Sequence, residues 1–339
     1  MIKFGIIGMG IRGKLYANTI GQNPYAEVTA FCEVNESAHQ ELQDMYQAKA
    51  YRDYREMIDT EALDAVIIAT PDFLHKDAVI YTAEHKLSMM VEKPFSTSVE
   101  ECLEMTEAVE RNGVVCMVAF ENRWSLPFIH TKSLIAAGEL GDILNIYAKL
   151  NNTTFVPTKM LPWAGETTPA WFLFPHLVDM ASWLTGKEAV SVYATGVKKR
   201  LTKTGIDTYD SIQAILTYDD GTSGVFTTTW VLPETYPVVA DQKMSLVGDK
   251  SSLDIDLCEQ MLRMATQSNF NNPRVLGTPV HGKLNAPPCH MLNNFIDNLK
   301  DGTPPLANQR DGLRNTMIIQ AIHESVSTGK PVSIKKPEV

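Results

Sequence analysis

The sequence predicts an α/β protein in two parts: a doubly wound parallel sheet first, then an α+β half whose strands are mainly antiparallel. Three observations carry that prediction. Short apolar, β-branched runs alternate with helix-compatible stretches as far as about residue 122. Beyond that point strands follow one another with few helices between them. The chain has 339 residues, which at about 150 residues per domain makes roughly two domains. Apolar residues at 44% and charged residues at 21% are those of an ordinary globular chain, not of a disordered or coiled-coil one.

The first strand is Ile2 to Ile7, broken by Gly8, and a helix is predicted from Arg12 to Ile20, closed by Gly21. Glu27 to Glu33 is a second strand and Ser37 to Tyr46 a second helix. Ala65 to Thr70 is a continuous apolar run, the pattern of a strand buried on both faces. Asp77 to His85 reads as helix and Leu87 to Val91 as strand. Ser98-Val99-Glu100-Glu101 is a capping box that opens a helix with Val99, Leu103 and Val109 facing inward and a stop at Asn112-Gly113. Val114 to Phe120 is the next strand. Strands regularly separated by helices imply right-handed crossovers and a parallel sheet covered on both faces.

In the second half, Ile143 to Thr154, Ala189 to Lys198, Asp210 to Tyr218, Ser223 to Val231 and Lys243 to Val247 are predicted strands. Asp219-Asp220-Gly221 makes a hairpin turn, and the alternation Ile212-x-Ala214-x-Leu216 suits a sheet with one distinct outer face. A helical tail runs from His290 to Thr328, divided by Gly302-Thr303-Pro304-Pro305. The boundary near Asn122 to Pro127 separates a domain of residues 1–122 from one of residues 123–339.

Composition narrows the partners. The net charge is −10, and phosphate-rich partners need clustered cations, so neither nucleic acid nor an anionic membrane is expected. The N-terminal apolar run is broken by glycines after six residues, and no apolar stretch approaches the ~18 residues that would span a bilayer; no signal peptide and no membrane segment are expected. Cys32, Cys102, Cys116, Cys258 and Cys289 are odd in number and widely spaced, which suits reduced thiols in a cytoplasm better than disulfides or a zinc ribbon. His-x-x-x-His and cysteine clusters are absent, so no metal site is expected.

Gly8-Met9-Gly10-Ile11-Arg12-Gly13 is a G-x-G-x-x-G turn that follows a strand, opens a helix, and has Glu33 at the end of the second strand. Gly8 permits the tight turn, Gly10 lets backbone approach a pyrophosphate at the helix N-terminus, and Gly13 allows close helix–strand packing. A carboxylate at Glu33 accepts from ribose hydroxyls and repels a 2′-phosphate, which favours NAD over NADP. Arg12 opposes that preference, since an arginine swung over the ribose holds a phosphate.

Further motifs extend the pattern. Ile68-Ala69-Thr70-Pro71-Asp72-x-Leu74-His75 and Glu92-Lys93-Pro94 end two strands, and Gly138-Glu139-Leu140-Gly141-Asp142-Ile143 opens the second half. Asp311-Gly312-Leu313-Arg314 and Thr328-Gly329-Lys330-Pro331-Val332 close the chain. In this order and spacing, from about residue 2 to 334, the chain resembles the Gfo/Idh/MocA family, named for glucose–fructose oxidoreductase, inositol dehydrogenase and a rhizopine-catabolism protein. The resemblance implies a Rossmann domain followed by a domain on a large open mixed sheet. It also implies NAD(P)-linked oxidation or reduction of sugars, sugar derivatives or cyclitols, and pairing through the open sheet into homodimers or homotetramers.

It implies site residues as well. The cofactor would lie along Gly8 to Gly13, including Met9, Ile11 and Arg12, and along Glu33, Thr70, Pro71, Leu74, His75, Glu92, Lys93 and Pro94. His75 has an equal claim as a support for the cofactor loop. The Lys93-Pro94 bond is often cis in the family, which would aim the lysine into the cleft. Lys93 stands at the C-terminal end of a parallel strand, where ligands bind in such sheets, and a lysine there can exchange the alcohol proton. A positively charged nicotinamide beside it would lower its pKa.

His176 lies in a helix predicted to begin near Pro175 and to end before Gly186, and shares a face with Asp179 and Trp183. The family carries a catalytic histidine followed three residues later by aspartate, which His176 and Asp179 match, with proton relay as the implied role. Many members have an aspartate four residues before that histidine, where this chain has Phe172. The expectation is a more aromatic pocket, with Trp163, Trp171 or Phe172 against the apolar face of a ring, and with His176 oriented by Asp179 or by substrate hydroxyls. Arg123 matches an arginine near the family's cleft; it suits substrate hydroxyls, a carboxylate or an interdomain ion pair. Two other readings remain open: a redox-neutral, NAD-dependent glycoside-cleaving enzyme, and a non-catalytic NAD(P)-binding sensor.

Overall fold

The computed structural model describes residues 1–259, 261–268, 270–273 and 278–335. In chain order the first elements are β1 (Ile2–Ile7), α1 (Ile11–Ile20), β2 (Ala26–Cys32), α2 (His39–Tyr46), β3 (Lys49–Tyr51), α3 (Tyr54–Thr60), β4 (Ala65–Ile68), α4 (His75–Glu84), β5 (Ser88–Val91), α5 (Val99–Asn112) and β6 (Cys116–Val118). Then come α6 (Leu126–Ala136), β7 (Ile143–Thr153), α7 (Pro169–Thr185), β8 (Ala189–Val197), β9 (Ser211–Tyr218), β10 (Ser223–Leu232), β11 (Ala240–Gly248) and β12 (Ser252–Asp256). A two-residue pair, β13 (Met264–Ala265) and β14 (Phe270–Asn271), precedes α8 (Pro287–Asp301), α9 (Gln309–Thr328) and β15 (Val332–Ser333).

The elements form two compact units: Met1–Trp124 with Pro279–Thr316, and Ser125–Thr278 with the chain from Met317. The sequence assigns everything after residue 122 to the second domain. Pro279–Thr316 instead belongs to the first unit, and residues 336–339 lie outside the described residues. The reason is packing. Met291, Leu292, Phe295 and Ile296 of α8 are buried in one core with Phe4, Ile6 and Tyr16, and Phe295 meets the Phe4 ring edge-on at 6.2 Å. Burial of such side chains contributes roughly 1.5–3 kcal/mol each. An amphipathic helix shows which face it buries but not which sheet receives it.

The sheet of the first unit has the order β3-β2-β1-β4-β5-β6 and is parallel throughout. Strand order reverses between β1 and β4, and in open α/β sheets ligands bind beyond the strand C-termini at that point. The predicted strands and helices are present, with two additions. β3 is a three-residue edge strand, too short to show a period. α3 is capped by Asp53, whose carboxylate accepts from the Arg55 amide.

At α5 the capping box is half made. Ser98 Oγ accepts from the Glu101 amide at 3.3 Å, but the Glu101 carboxylate accepts from the Ser96 hydroxyl rather than reaching back to Ser98 N. The buried face also differs from the expected one. Cys102, Met105, Thr106 and Val109 form the i, i+3, i+4, i+7 stripe, whereas Val99 and Leu103 are only half-buried.

The sheet of the second unit runs β12-β11-β7-β10-β9-β8-β15, and only its β7–β10 pair is parallel. Helix α7 packs on β7, β9 and β10. Its Phe174, Leu177 and Ala181 share a core with Ile146, Ala148, Ile212, Leu216 and Phe226. α7 starts at Pro169, about one and two-thirds turns before the expected Pro175. Thr168 caps it by accepting from the Trp171 amide at 3.2 Å, Pro169 takes the first helical position, and Gly186 ends it in the left-handed region. Pro175 therefore sits inside the helix, where the missing N–H costs on the order of 3 kcal/mol. The buried apolar residues along α7 offset that cost.

Side chains on the other face of this sheet remain exposed. Tyr193, Ile215, Val225 and Tyr147 are direct cross-strand neighbours in one row, and each is between 38% and 49% exposed. The five cysteines are separate buried thiols. No helix among the described residues is long and apolar enough to cross a membrane.

Candidate active site

The glycine turn follows β1. Gly8 has φ +90°, a left-handed backbone, and a Cβ there would lie 2.7 Å from the Ala69 carbonyl oxygen. A Cβ on Gly13 would lie 2.0 Å from the Gly8 carbonyl oxygen, so α1 touches the turn at that point. Gly10 is different: a Cβ there would meet nothing within 4 Å. It is also the N-cap of α1 and offers no side chain to the first-turn amides. The open space beside these amides is a cradle for an anion. The Glu33 carboxylate is held by two backbone donors: Oε2 accepts from the Met9 amide at 3.0 Å and Oε1 from the Asn35 amide at 2.9 Å. A carboxylate has about four acceptor positions, so capacity remains for hydroxyl donors. Ile11, also expected along the cofactor, is exposed.

Arg12 points elsewhere. Its Nε donates to Glu92 Oε1 at 2.6 Å, and one terminal nitrogen donates to Glu121 and, at 2.9 Å, to the Tyr16 hydroxyl. β5, which precedes Glu92, is three strands from β2, which precedes Glu33. At about 4.8 Å per strand that is roughly 14 Å. The expectation that Arg12 swings over the ribose is therefore corrected: two carboxylates hold the guanidinium on the other side of the switch point. What remains beside the ribose position is a carboxylate, which favours NAD.

The ends of β4, β5 and β6 stand side by side. After β4, the Thr70 hydroxyl is buried with no hydrogen-bond partner. Pro71 leads into α4, and Leu74 is exposed. His75 is buried, with Nδ1 3.0 Å from the Pro94 carbonyl oxygen and Nε2 3.2 Å from the Thr70 carbonyl oxygen. It links the β4 loop to the Lys93-Pro94 loop. Lys93-Pro94 is a cis peptide.

Glu92 is buried. Burial alone would raise its pKa, but Arg12, Lys93 and the donating Tyr16 hydroxyl outweigh that and hold it below the ordinary carboxylate value. The Lys93 ammonium is shifted the other way. Desolvation lowers its pKa, Glu92 opposes, Arg12 adds to the lowering, and Glu121 and Asp72 oppose; the net position is below an ordinary lysine. After β6, the buried Asn122 amide nitrogen has no hydrogen-bond partner. Thr70, Lys93 and Asn122 thus follow three adjacent strands, and the first and last carry buried polar atoms that a ligand could satisfy.

Arg123 is 4% exposed and donates to the Leu306 carbonyl at 2.6 Å and to Asp311 at 3.2 Å. Asp311 belongs to the first unit, so this ion pair is not interdomain.

The remaining predicted residues belong to the second unit. His176 and Asp179 lie one turn apart on α7, His176 half-buried and Asp179 buried. Phe172 packs edge-on between Trp163 at 6.2 Å and Trp230 at 5.7 Å, so the residue standing for the family's acid is tied into the hydrophobic core. Trp171 is not with them; it stacks on His323 at 4.9 Å.

Tyr16, Glu121, Asn122 and Trp230 were not singled out from the sequence. Asn122 is adjacent to the marked Arg123, but no spacing rule points to the others. Among the described residues no group of three or more His, Cys, Asp or Glu side chains is placed to hold a metal ion.

Comparison with known proteins follows this geometry. Residues 2–120 match the model of an oxidoreductase family with an NAD-binding Rossmann fold. Residues 128–254 match the model of the GFO/IDH/MocA C-terminal domain. The chain is 26% identical over 341 residues to scyllo-inositol 2-dehydrogenase (NAD(+)) of Bacillus subtilis, covering 98% of this chain and 96% of that protein. It is 23% identical over 340 residues to myo-inositol 2-dehydrogenase of Thermotoga maritima, covering 99% of both. The crystal structure of scyllo-inositol dehydrogenase from Lactobacillus casei with bound NAD(H) and scyllo-inositol has the same fold, with a TM-score of 0.85 at 18% identity over 98% of this chain and 99% of that one.

Proposed function

The chain belongs to the Gfo/Idh/MocA family of NAD-binding oxidoreductases, and from that premise we propose that it exchanges a hydride between NAD and a secondary alcohol of a cyclitol or cyclic sugar derivative, with Lys93 as the acid–base group. The observation that carries this reading is Lys93: a lysine of lowered pKa after β5, with the unpartnered polar atoms of Thr70 and Asn122 in the segments after the neighbouring strands β4 and β6.

The nucleotide fits the residues present. Gly8 permits the tight turn, Gly10 leaves room for the pyrophosphate at the N-terminus of α1, Gly13 seats that helix, and Glu33 would accept from the ribose. The nicotinamide, when bound, would accept or supply the hydride, which carries both electrons. Lys93 Nζ takes the hydroxyl proton in oxidation and returns it in reduction. A lowered pKa makes the neutral amine available closer to neutral pH than in an ordinary lysine. His75, with Nδ1 protonated, donates to the Pro94 carbonyl and so fixes the loop that carries Lys93. His176, with Asp179 one turn further along α7, is the second proton carrier; the matching His-x-x-Asp spacing supports that role.

Cyclitols head the substrate class because the named relatives are inositol dehydrogenases. Purified protein mixed with NAD and a panel of scyllo-inositol, myo-inositol and cyclic sugars is expected to produce NADH with at least one of them. No NADH from any member, in a protein that binds NAD tightly, overturns this reading and favours the sensor. Glycoside cleavage on stoichiometric bound NAD without net NADH replaces it with the redox-neutral one.

The row Tyr147, Val225, Ile215 and Tyr193 is proposed as the contact with a second copy of the chain. Ile215→Lys places a charge in the centre of that row. It is expected to shift the protein from oligomer to monomer in sedimentation velocity with its melting temperature unchanged. A wild-type monomer at micromolar concentration sinks the proposal.

A further inference from the structure

Resting on the reading of Lys93 as the acid–base group, we propose that Arg12 is a positioning residue for it: by clamping Glu92 and Glu121, Arg12 neutralises the carboxylates that would otherwise hold the lysine protonated, and so sets the pH at which Lys93 accepts a proton. The glycine turn marks Arg12 as a candidate phosphate contact, yet the side chain is spent on another task. Its Nε donates to Glu92 at 2.6 Å, and a terminal nitrogen donates to Glu121 and to Tyr16. Tyr16 donates to the same Glu92 oxygen that Nε reaches. The other Glu92 oxygen accepts from the backbone amide of Lys93 at 3.2 Å. The cluster therefore ends at the residue that does the proton chemistry.

A charge count shows what the arginine does. Within the first unit the groups acting on the Lys93 ammonium are Glu92 on its own loop, Arg12 from α1, Glu121 after β6 and Asp72 after β4. With Arg12 in place, two of the three carboxylates carry a guanidinium ion pair. Without it, Glu92 and Glu121 lose their guanidinium, and opposite charges near the ammonium favour its protonated form. The direct repulsion between guanidinium and ammonium is lost as well, so both consequences have the same sign. In wild type, desolvation and Arg12 lower the Lys93 pKa while the carboxylates raise it. The tyrosine stays a donor: burial raises its pKa well above the ordinary phenol value.

The test reads Lys93 without any substrate. Full-length protein is labelled with trace acetic anhydride across a pH series, and acetylation of the peptide containing Lys93 is followed by mass spectrometry. Arg12→Met is expected to move the labelling midpoint up by about one pH unit or more. Arg12→Lys, which keeps the charge without the planar fork, is expected to fall between it and wild type. Glu121→Gln removes one carboxylate and is expected to move the midpoint down by about half a unit. The NAD dissociation constant of Arg12→Met, measured by fluorescence titration, is expected to change less than about threefold, because the guanidinium is engaged by carboxylates rather than by the ribose.

An unmoved midpoint in Arg12→Met, or shifts of one sign in Arg12→Met and Glu121→Gln, overturns the inference. If Arg12→Met does not fold, Arg12→Lys decides it: a midpoint equal to that of wild type overturns the inference. Because labelling needs no turnover, a protein that oxidises no cyclitol still reports the midpoint. Activity lost in Lys93→Met, together with a Lys93 midpoint that is the same in wild type and Arg12→Met, refutes this inference and leaves the assignment of Lys93 intact.

Discussion

Lys93→Met is expected to lower turnover by about 10³–10⁴-fold while the NAD dissociation constant stays within about threefold. Methionine keeps most of the length and the apolar stem of lysine but can neither take nor return a proton. The fold is expected to survive, because Glu92 keeps Arg12, the Tyr16 hydroxyl and the backbone amide of residue 93 as partners. Lys93→Arg serves as the companion. A guanidinium retains the charge but stays protonated at every working pH, so it is expected to be as inactive as methionine. In wild type, the rate of alcohol oxidation should rise with pH as the lysine loses its proton, and that limb of the profile should vanish in both variants. Stopped-flow NADH formation over a pH series checks this. A Lys93→Met protein that turns over at wild-type speed removes the acid–base role.

The second large effect separates two glycines of one turn. Gly10→Val is expected to fold normally and to lose NAD by about 100-fold or more, whereas Gly13→Ala is expected to lose stability, its cost falling on the fold rather than on the nucleotide. Gly10 has φ −69° and ψ −158°, an extended backbone that β-branched residues adopt freely, and a Cβ there meets no protein atom within 4 Å. A valine side chain enters the space where the pyrophosphate approaches the backbone, so its cost falls on binding. At Gly13 the added carbon would sit 2.0 Å from the Gly8 carbonyl oxygen, which is backbone and cannot rotate away. α1 must lift from β1, at about 3 kcal/mol or more, equivalent to a fall of roughly 6–12 °C in Tm. Thermal melts and NAD titrations of the two variants check both halves. A Gly10→Val protein with wild-type NAD affinity contradicts the placement of the nucleotide, and a Gly13→Ala protein with unchanged Tm contradicts the packing.

Much of this was legible because it is local. The apolar run Ala65 to Ile68, the stop of α5 at Gly113 and the hairpin at Gly221 are decided by residues within a few positions of each other, which is what periodicity and turn chemistry report. Errors arose where a local rule had two solutions. Pro175 and Pro169 both suit a helix start, and the threonine before Pro169, which caps the helix, settled the choice. The buried stripe of α5 uses Cys102 and Thr106, residues that a search for large aliphatics passes over.

The amino-acid sequence by itself determined the alternation of elements, the glycine turn with Glu33, and the family to which the chain belongs. Tertiary structure alone decided that α8 closes the first unit and that Arg12 serves Glu92 and Glu121 instead of a phosphate. Arg12 is separated from those carboxylates by 80 and 109 residues. Which side chains meet over such distances depends on strand order and on how helices seat against the sheet, and a one-dimensional pattern carries no record of either.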